Sequence, residues 1–451
     1  MSCGIVGSSD PYIIIIGAGP AGLLAAGQAA GVGAPVLLLE KMDRPGHKLR
    51  LTGGGRGNLT HTAPLDEFLA QFGAHGHFLR PAFDRFFAPQ LRAFLSEIGV
   101  PTVVEPSGQV YPTSNRAADV VEALVRWVQA QGVTLQTRSP ANELLIENGQ
   151  IVGVRTVDGT NHRAAAVVMA TGGASYPGTG SSGDGYRLAA AAGHTIVPIR
   201  PALVPLETAG VIAPLAPGPS PTKRSPTAKS SPTKPGSVKG APRLQGLALR
   251  GVAVHLYIAG QKRATHTGDL LFTHFGLSGP AILALSHAAV DALRHGQEVI
   301  LALNLFPNLE RRDLDERLRH ALETHGKQHV ATILVRLLPR RLVPLALAQA
   351  DIAPKRHASQ VSAVARRRLG AWLQDWRLEV TGHRSWSEAQ VTAGGVDLRE
   401  VDPQTMASRV VHGLYLAGEI LDLDAGTGGY NLQAAFSTGW LAGISAGPCC
   451  I

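Results

Sequence analysis

Cysteine is nearly absent from these 451 residues: three in all, Cys3, Cys449 and Cys450, each at an extreme end. No disulfide framework can be built from them, and neither a Cys-x-x-Cys redox pair nor a zinc knuckle exists. A reducing cytoplasm is the expected compartment. Charge is sparse at 17% of residues, and aromatics supply only 5%. With 45% hydrophobic residues, this globular composition excludes wholesale disorder, coiled coil and collagen. A chain this long can bury a large core unaided. The first residues lack a positive n-region and a small-residue cleavage site, so no secretory leader is expected. The apolar run from Tyr12 to Leu39 reaches the length of a membrane span. Pro20, Gln28, Pro35 and six glycines break it, however, and strand, turn, helix and strand is the natural reading.

Acidic residues are missing altogether between Val211 and Arg243, where eight prolines accompany six Lys and Arg. Those six account for two thirds of the +9 net charge, so the remaining chain is only about +3. The segment reads as an exposed basic loop that cannot offset its ordering entropy. Nucleic acid is therefore not the expected partner, although contact with nucleic acid through this loop is one rival reading. No P-loop and no Gly-x-Ser-x-Gly elbow occur. His75-x-His77 lacks a third ligand at a useful spacing, so no metal is expected.

What is present begins with Tyr12–Ile16, a β-branched strand. It runs into Gly17-Ala18-Gly19-Pro20-Ala21-Gly22, then an Ala/Leu-rich helix to about Gly31, then a strand ending in Glu40. Gly17 permits the tight turn, Gly19 the approach of a pyrophosphate, and Gly22 close packing of helix on strand. The helix N-terminus adds NH groups and partial positive charge. A carboxylate at the end of the second strand can accept both ribose hydroxyls and argues against a 2′-phosphate, leaving NAD or FAD. Two further apolar strands end in glycine: Val167–Gly173, carrying Thr171, Gly172 and Gly173, and Gly413–Glu419. The latter leads through Gly426–Asn431 into the last helix. A flavin needs backbone contacts far from the pyrophosphate turn, and these segments can supply them. Glu419 would reach a ribityl hydroxyl, and the NH groups near Gly429–Asn431 the flavin N1/C2 edge.

The coarse reading places helices at Leu65–Phe72, Pro81–Ile98, Arg116–Gln131 and Asp184–Ala192, and from Arg311 to Asp375. It places strands at Val133–Gln136, Glu143–Ile146, Ile151–Val157, Gly251–Ile258, Glu298–Leu303 and Trp376–Val380, with an Asn148-Gly149 hairpin turn. A second Gly-x-Gly-x-x-Gly at Gly178–Gly183 follows a proline, not a strand, and reads as a loop. No second nucleotide unit is therefore expected, and NADH or NADPH could reduce a flavin only by docking transiently.

Gly17–Gly22, Glu40-Lys41, Leu51–Thr60, Ala170–Pro177, Gly268–Pro280, Val391–Val396 and Gly418–Asn431 stand in order. Together they resemble a bacterial FAD-dependent flavoprotein family that includes aminoacetone oxidase and the 3-dehydro-bile-acid Δ4,6-reductases. The resemblance implies an α/β, Rossmann-type FAD domain in two segments, 1–197 and 389–451. Between them it implies an inserted β-barrel and helical substrate domain, 198–388. It implies FAD contacts at Lys41, Gly54, Gly55, Arg56 and Asn58, at the backbone of Ala141, at Thr171–Gly173, and at Gly418, Glu419, Gly428, Gly429, Tyr430 and Asn431. Where the family usually has Gly-Gly-Gly-Arg-Cys-Asn this chain has Gly57, so a role resting on that thiol is absent. The implied activity is hydride transfer between flavin and a small organic substrate held against the insert. It is either reduction of an activated C=C bond or oxidation of an amine or amino-ketone by oxygen. A flavin with a purely structural or sensing role is the remaining rival. Tyr176, His274 and Tyr430 are candidate proton donors.

Overall fold

The structure, a computed structural model, describes residues 13–209 and 244–447. The three cysteines and the basic segment from Val211 to Arg243 lie outside them. The chain divides into two compact units, Met1–Ala202 with Ser385–Ile451, and Leu203–Arg384; the sequence reading puts the divisions at 197/198 and 388/389.

In the first unit the strands β1 (Ile13–Ile16) and β2 (Val36–Leu39) flank the helix α1 (Pro20–Gly31). Both strands are buried along their whole length, as strands covered on both faces must be. They belong to a five-stranded sheet ordered Leu414–Leu416, Ala166–Met169, β1, β2, Thr134–Gln136, in which every neighbouring pair is parallel. The C-terminal helix (Tyr430–Ala446) lies along α1. A Cβ on Gly439 would stand 2.2 Å from the Ala21 carbonyl oxygen, and one on Gly443 2.3 Å from that of Ala25. Backbone therefore meets backbone there. The hairpin turn at Asn148-Gly149 has φ of 49° and 77°, the left-handed pair that such a two-residue turn requires.

The second unit holds a closed six-stranded barrel. Its order is Leu206–Ala209, Gly276–Ser278, Gln261–Phe272, Ala248–Ile258, Val299–Asn304, Trp376–His383. Alternation is clean in the last of these: Trp376, Leu378 and Val380 are buried, Arg377, Glu379 and Thr381 exposed. Helices pack their own apolar faces onto this core, among them Arg311–Thr324 through Leu314, Leu318 and Leu322.

Two long elements escape the sequence reading. Gln261–Phe272 is polar and exposed over most of its length and is a strand because Ala248–Ile258 pairs with it. Pro280–Arg294 is a helix whose start is marked only by a proline at its first position. Among the described residues no helix is long and apolar enough to cross a membrane.

Candidate functional site

At the end of β1 the chain turns sharply. Gly17 has φ +99° and donates its N–H to the Leu39 carbonyl at 2.8 Å. A Cβ there would stand 2.6 Å from the Ala170 carbonyl oxygen, and one on Gly22 1.8 Å from that of Gly17, so neither position admits a side chain. Around Gly19, by contrast, no protein atom lies within 4 Å of where a Cβ would be. The helix α1 that begins here has Pro20 in its first turn, no side-chain cap and no acidic residue. Its first NH groups are thus left for an anion. Glu40 is buried, and its oxygens accept from the Ala18 and Met42 amides, each at 2.8 Å. Each oxygen keeps a second lone pair for a ribose hydroxyl.

Lys41 is engaged with Ser182 and with Asp184 at 2.5 Å. Burial alone would raise Asp184, but Lys41 outweighs it and holds that carboxyl below its usual range. Ala141 opens a strand paired with Thr156, and the Ser139 N–H to the Glu40 carbonyl (2.9 Å) brings the preceding chain alongside β2.

The glycine-rich run is a pair of 3-10 turns, Leu49–Gly55, with Gly53, Gly54 and Gly55 all at positive φ. Gly54, like Gly19, faces open space. Arg56 is held by protein: Glu105 at 2.5 Å, Asn115 at 2.9 and 3.0 Å, and the Tyr111 ring 4.0 Å below. Four buried polar atoms in the motif segments find no partner among the described residues: Arg50 Nε, Asn58 Oδ1, Thr60 Oγ1 and Thr171 Oγ1. Unpaired buried donors, acceptors and hydroxyls are costly unless a ligand meets them. Together with the open glycines and the uncapped helix, they fit an extended dinucleotide such as FAD.

Glu419 is the centre of a network that spans the chain. Its Oε2 accepts from Lys48 Nζ at 2.6 Å. Its Oε1 accepts from the Thr392 amide at 2.8 Å and the Ser175 hydroxyl at 3.3 Å. Lys48 also donates to Ser175 at 2.6 Å, and the Ala174 amide to Thr392 Oγ1 at 2.8 Å. Gly173 makes this convergence possible, because a Cβ there would fall 2.3 Å from Thr392 Oγ1 and 3.0 Å from Glu419 Cδ. Gly172 and Gly418 have positive φ, and the Gly418 amide donates to Thr438 Oγ1 at 3.0 Å. Glu419 thus carries a protein-borne cation beside it, which the sequence reading does not foresee. Lys48, Ser175 and Thr392 escape that reading, although all three lie in or beside the quoted motifs.

Asp422 escapes it as well. It is buried next to Asp424, and the His75 Nδ1 stands 3.0 Å from its backbone carbonyl and 3.8 Å from its carboxylate. Burial first, then Asp424, pushes this carboxyl up against the lowering effect of His75 and Arg200. His75 and His77 form no metal cluster among the described residues.

The three proposed proton donors belong to different elements, two of them in the first unit and one in the second. Tyr176 sits at φ 54°, a strained conformation for a bulky residue, with its N–H on the Trp386 carbonyl. Tyr430 is buried at the start of the C-terminal helix, stacked on His61 at 5.2 Å and edge-on to Phe68 at 4.6 Å; burial raises its phenol. His274 is exposed in the second unit, its ring against Phe275. Gly428 and Gly429 lead into the C-terminal helix, which again has no side-chain cap. The Asn431 side chain closes the preceding loop, accepting from the Ala425 amide and donating to the Ala425 and Gly426 carbonyls. Both Nδ2 hydrogens of Asn431 are thus spent on the loop, which leaves its backbone N–H and the second lone pair of Oδ1 for a cofactor.

Comparison with known proteins places this geometry. The model of the HI0933-like protein Rossmann domain matches residues 11–445. A ribosomal RNA dihydrouridine synthase of Escherichia coli (strain K12) is 32% identical over 95% of this chain and 96% of its own. A 3-dehydro-bile acid delta(4,6)-reductase of Clostridium scindens is also 32% identical, over 96% of this chain and 98% of its own. Among solved structures, a 3-ketosteroid delta1-dehydrogenase from Sterolibacterium denitrificans covers 97% of this chain and 100% of its own. Its TM-score is 0.51 at 14% identity, a likeness of fold.

Proposed function

Because the chain belongs to the HI0933-like Rossmann family and is an FAD-dependent oxidoreductase, we propose that it reduces a carbon–carbon double bond conjugated to a carbonyl. One observation carries the reading. Two relatives, matched almost end to end, are named for unlike molecules, yet dihydrouridine formation and a delta(4,6)-reduction each saturate a double bond conjugated to a carbonyl. The oxidative alternative, an amine or amino-ketone as electron donor, has no counterpart in those names.

Bound FAD supplies a hydride donor at its flavin ring. The rest is the work of this chain. The Gly17–Gly22 turn and the first NH groups of α1 hold the pyrophosphate, and Glu40 the ribose. The uncapped start of the C-terminal helix and the Lys48 ammonium favour negative charge at the flavin end. Saturating a conjugated bond also requires a proton on the carbon next to the carbonyl. Asp422 is our assignment for its source, since a buried carboxyl beside a second one holds a proton more readily than a free one.

The test is a visible spectrum of the purified protein during anaerobic addition of NADH, then NADPH, followed by a conjugated enone. The expected result is a flavin band that bleaches with one nicotinamide and returns with the enone. A flavin that bleaches and returns only with oxygen would overturn the reductase reading. A preparation that takes up no flavin would overturn the cofactor assignment with it.

A further inference from the structure

The second glycine motif, Gly178–Gly183, has no place in the function so far. It overlaps a 3-10 turn, Pro177–Thr179, whose flanking residues Tyr176 and Gly180 both have positive φ, 54° and 98°. The strand before it, Ala166–Met169, ends well short, so the motif is not a nucleotide turn of the Gly17–Gly22 kind. Its contacts lead instead to the site already built around that first turn.

On one side the motif is fastened to the chain that follows Ala166–Met169. The Gly183 amide donates to the Gly173 carbonyl at 3.1 Å, and a Cβ on Gly172 would stand 3.2 Å from the hydroxyl of buried Ser181. On the other side it is fastened to the chain that follows β2. A Cβ on Gly180 would stand 2.9 Å from Met42 Cγ and 3.3 Å from Lys41 Cε. The Lys41 ammonium donates to Ser182 and, at 2.5 Å, to Asp184. Between those two strands lies β1, with Ile16 level with both Met169 and Leu39. All three are parallel and end on one edge, where β1 gives way to Gly17–Gly22. A segment tied to both neighbours spans that edge, and open sheets of this kind take their ligands outside these carboxyl ends. The flanking residues continue the line. Ser175 sits on Lys48 and Glu419 at the flavin end. Arg187, in the helix Asp184–Ala191, donates to the Asn142 carbonyl at 3.1 Å, next to Ala141. In the first turn of that helix a Cβ on Gly185 would stand 1.9 Å from the unpartnered Thr171 hydroxyl.

Residues 175–187 thus touch the flavin, pyrophosphate and adenosine parts of the site in turn. We propose that this segment is a strap that retains bound FAD, and that Lys41 fastens it through Asp184 rather than holding a phosphate itself. The ion pair does two things. It ties the strap to the residue after Glu40, the carboxylate assigned to the ribose, and it neutralises an acidic side chain that would otherwise oppose a pyrophosphate. Lys41 and Asp184 are therefore positioning residues for the cofactor. The inference rests on FAD occupying the Gly17–Gly22 turn and not on which bond the enzyme reduces.

The experiment dilutes the full-length, FAD-loaded protein and follows FAD release by the recovery of flavin fluorescence. Lys41→Met and Asp184→Asn are each expected to speed release about two- to fivefold, the scale of a partly exposed ion pair. The double variant should release no faster than either single one, because both remove the same fastening. Raising the ionic strength from about 0.01 to about 0.15 M shortens the screening length from about 30 to about 8 Å. It should speed release more in the parent than in the double variant. A far-UV circular dichroism spectrum matching the parent's shows that a variant is folded. Direct contact between Lys41 and a phosphate gives a different pattern: Lys41→Met speeds release, whereas Asp184→Asn frees the ammonium and slows it. That pattern overturns the strap, as do additive effects in the double variant or parent-like release from both single ones. Because the two readings give Asp184→Asn opposite signs, that variant decides alone if Lys41→Met does not fold. A parent protein that takes up no FAD overturns the dinucleotide reading, and the strap with it.

Discussion

The Lys48–Glu419 pair shows how a single residue at this site depends on others far away in the chain. Both side chains are only about a fifth exposed, 23% and 19%, and the carboxylate is already satisfied by Ser175 and the Thr392 amide. Lys48→Met leaves that carboxylate without its cation. Urea titration should register a loss of about 1–3 kcal/mol, and the bound flavin should become harder to reduce. Asp422→Asn keeps size and burial but removes the proton. It is expected to lower enone turnover by about 10²-fold or more while NAD(P)H still bleaches the flavin at its former rate; equal turnover would remove Asp422 from the mechanism.

A third residue sets a pH limit. The His194 side chain is fully buried between Glu400 (3.1 Å) and Ser408 (2.8 Å). Burial lowers its pKa against the raising effect of Glu400. A folded pKa below the unfolded one means that protonation favours the unfolded chain, so this contribution is present at neutral pH and is lost as pH falls below about 6.5. Glu400 acts in the same direction further into acid. Burial would raise it, but the Thr195 amide and His194 hold it low. The melting temperature should fall on acidification from pH 7 to 5, and His194→Gln should flatten that slope.

At the scale of elements, local signals were readable wherever a segment's own residues decide its state. Ile13–Ile16, the turn Gly17–Gly22 and Asn148-Gly149 each contain the branched side chains or the left-handed glycines that their conformations require. Gln261–Phe272 offers only Thr265 and Thr267 among charged and polar neighbours, and its pairing with Ala248–Ile258 makes it a strand. The packing of α1 on the C-terminal helix was equally hidden. Gly439 and Gly443 look like poor helix residues until Ala21 and Ala25 are brought within backbone distance. Gly443→Val drives a branched side chain into that contact. A loss of about 1–3 kcal/mol or more is expected, with reduced flavin content in the purified protein, because α1 opens at the pyrophosphate turn.

At the scale of the molecule, two compact units divide the chain, and every residue assigned to the dinucleotide lies in the first. A ligand that binds only the folded state stabilises it by mass action, by about 2.7 kcal/mol at a hundredfold excess over its dissociation constant. In calorimetry, added FAD should therefore raise the transition of the Rossmann unit and leave that of the barrel unit in place. A shift of both to the same extent would mean that the units unfold as one.

The sequence by itself determined the dinucleotide fold, the flavin family and the glycine positions. The fold and the glycines are written in short runs of residues in their strand–turn–helix context, and the family is implied by the resemblance of several such runs taken together. It also announced the closed barrel, though only through resemblance. What the tertiary structure alone decided is which side chains meet. Lys48 and Glu419 are 371 residues apart, and Ser175 and Thr392 are separate again from both. Asp422 was an ordinary acidic residue until burial beside Asp424 raised it. The same holds for charge: a total of +9 says nothing about place, whereas the folded chain sets Arg366 on Asp315 and Lys48 on Glu419. Short-range geometry is local and can be read along the chain; electrostatics and packing act through space, and only the folded chain sets those distances.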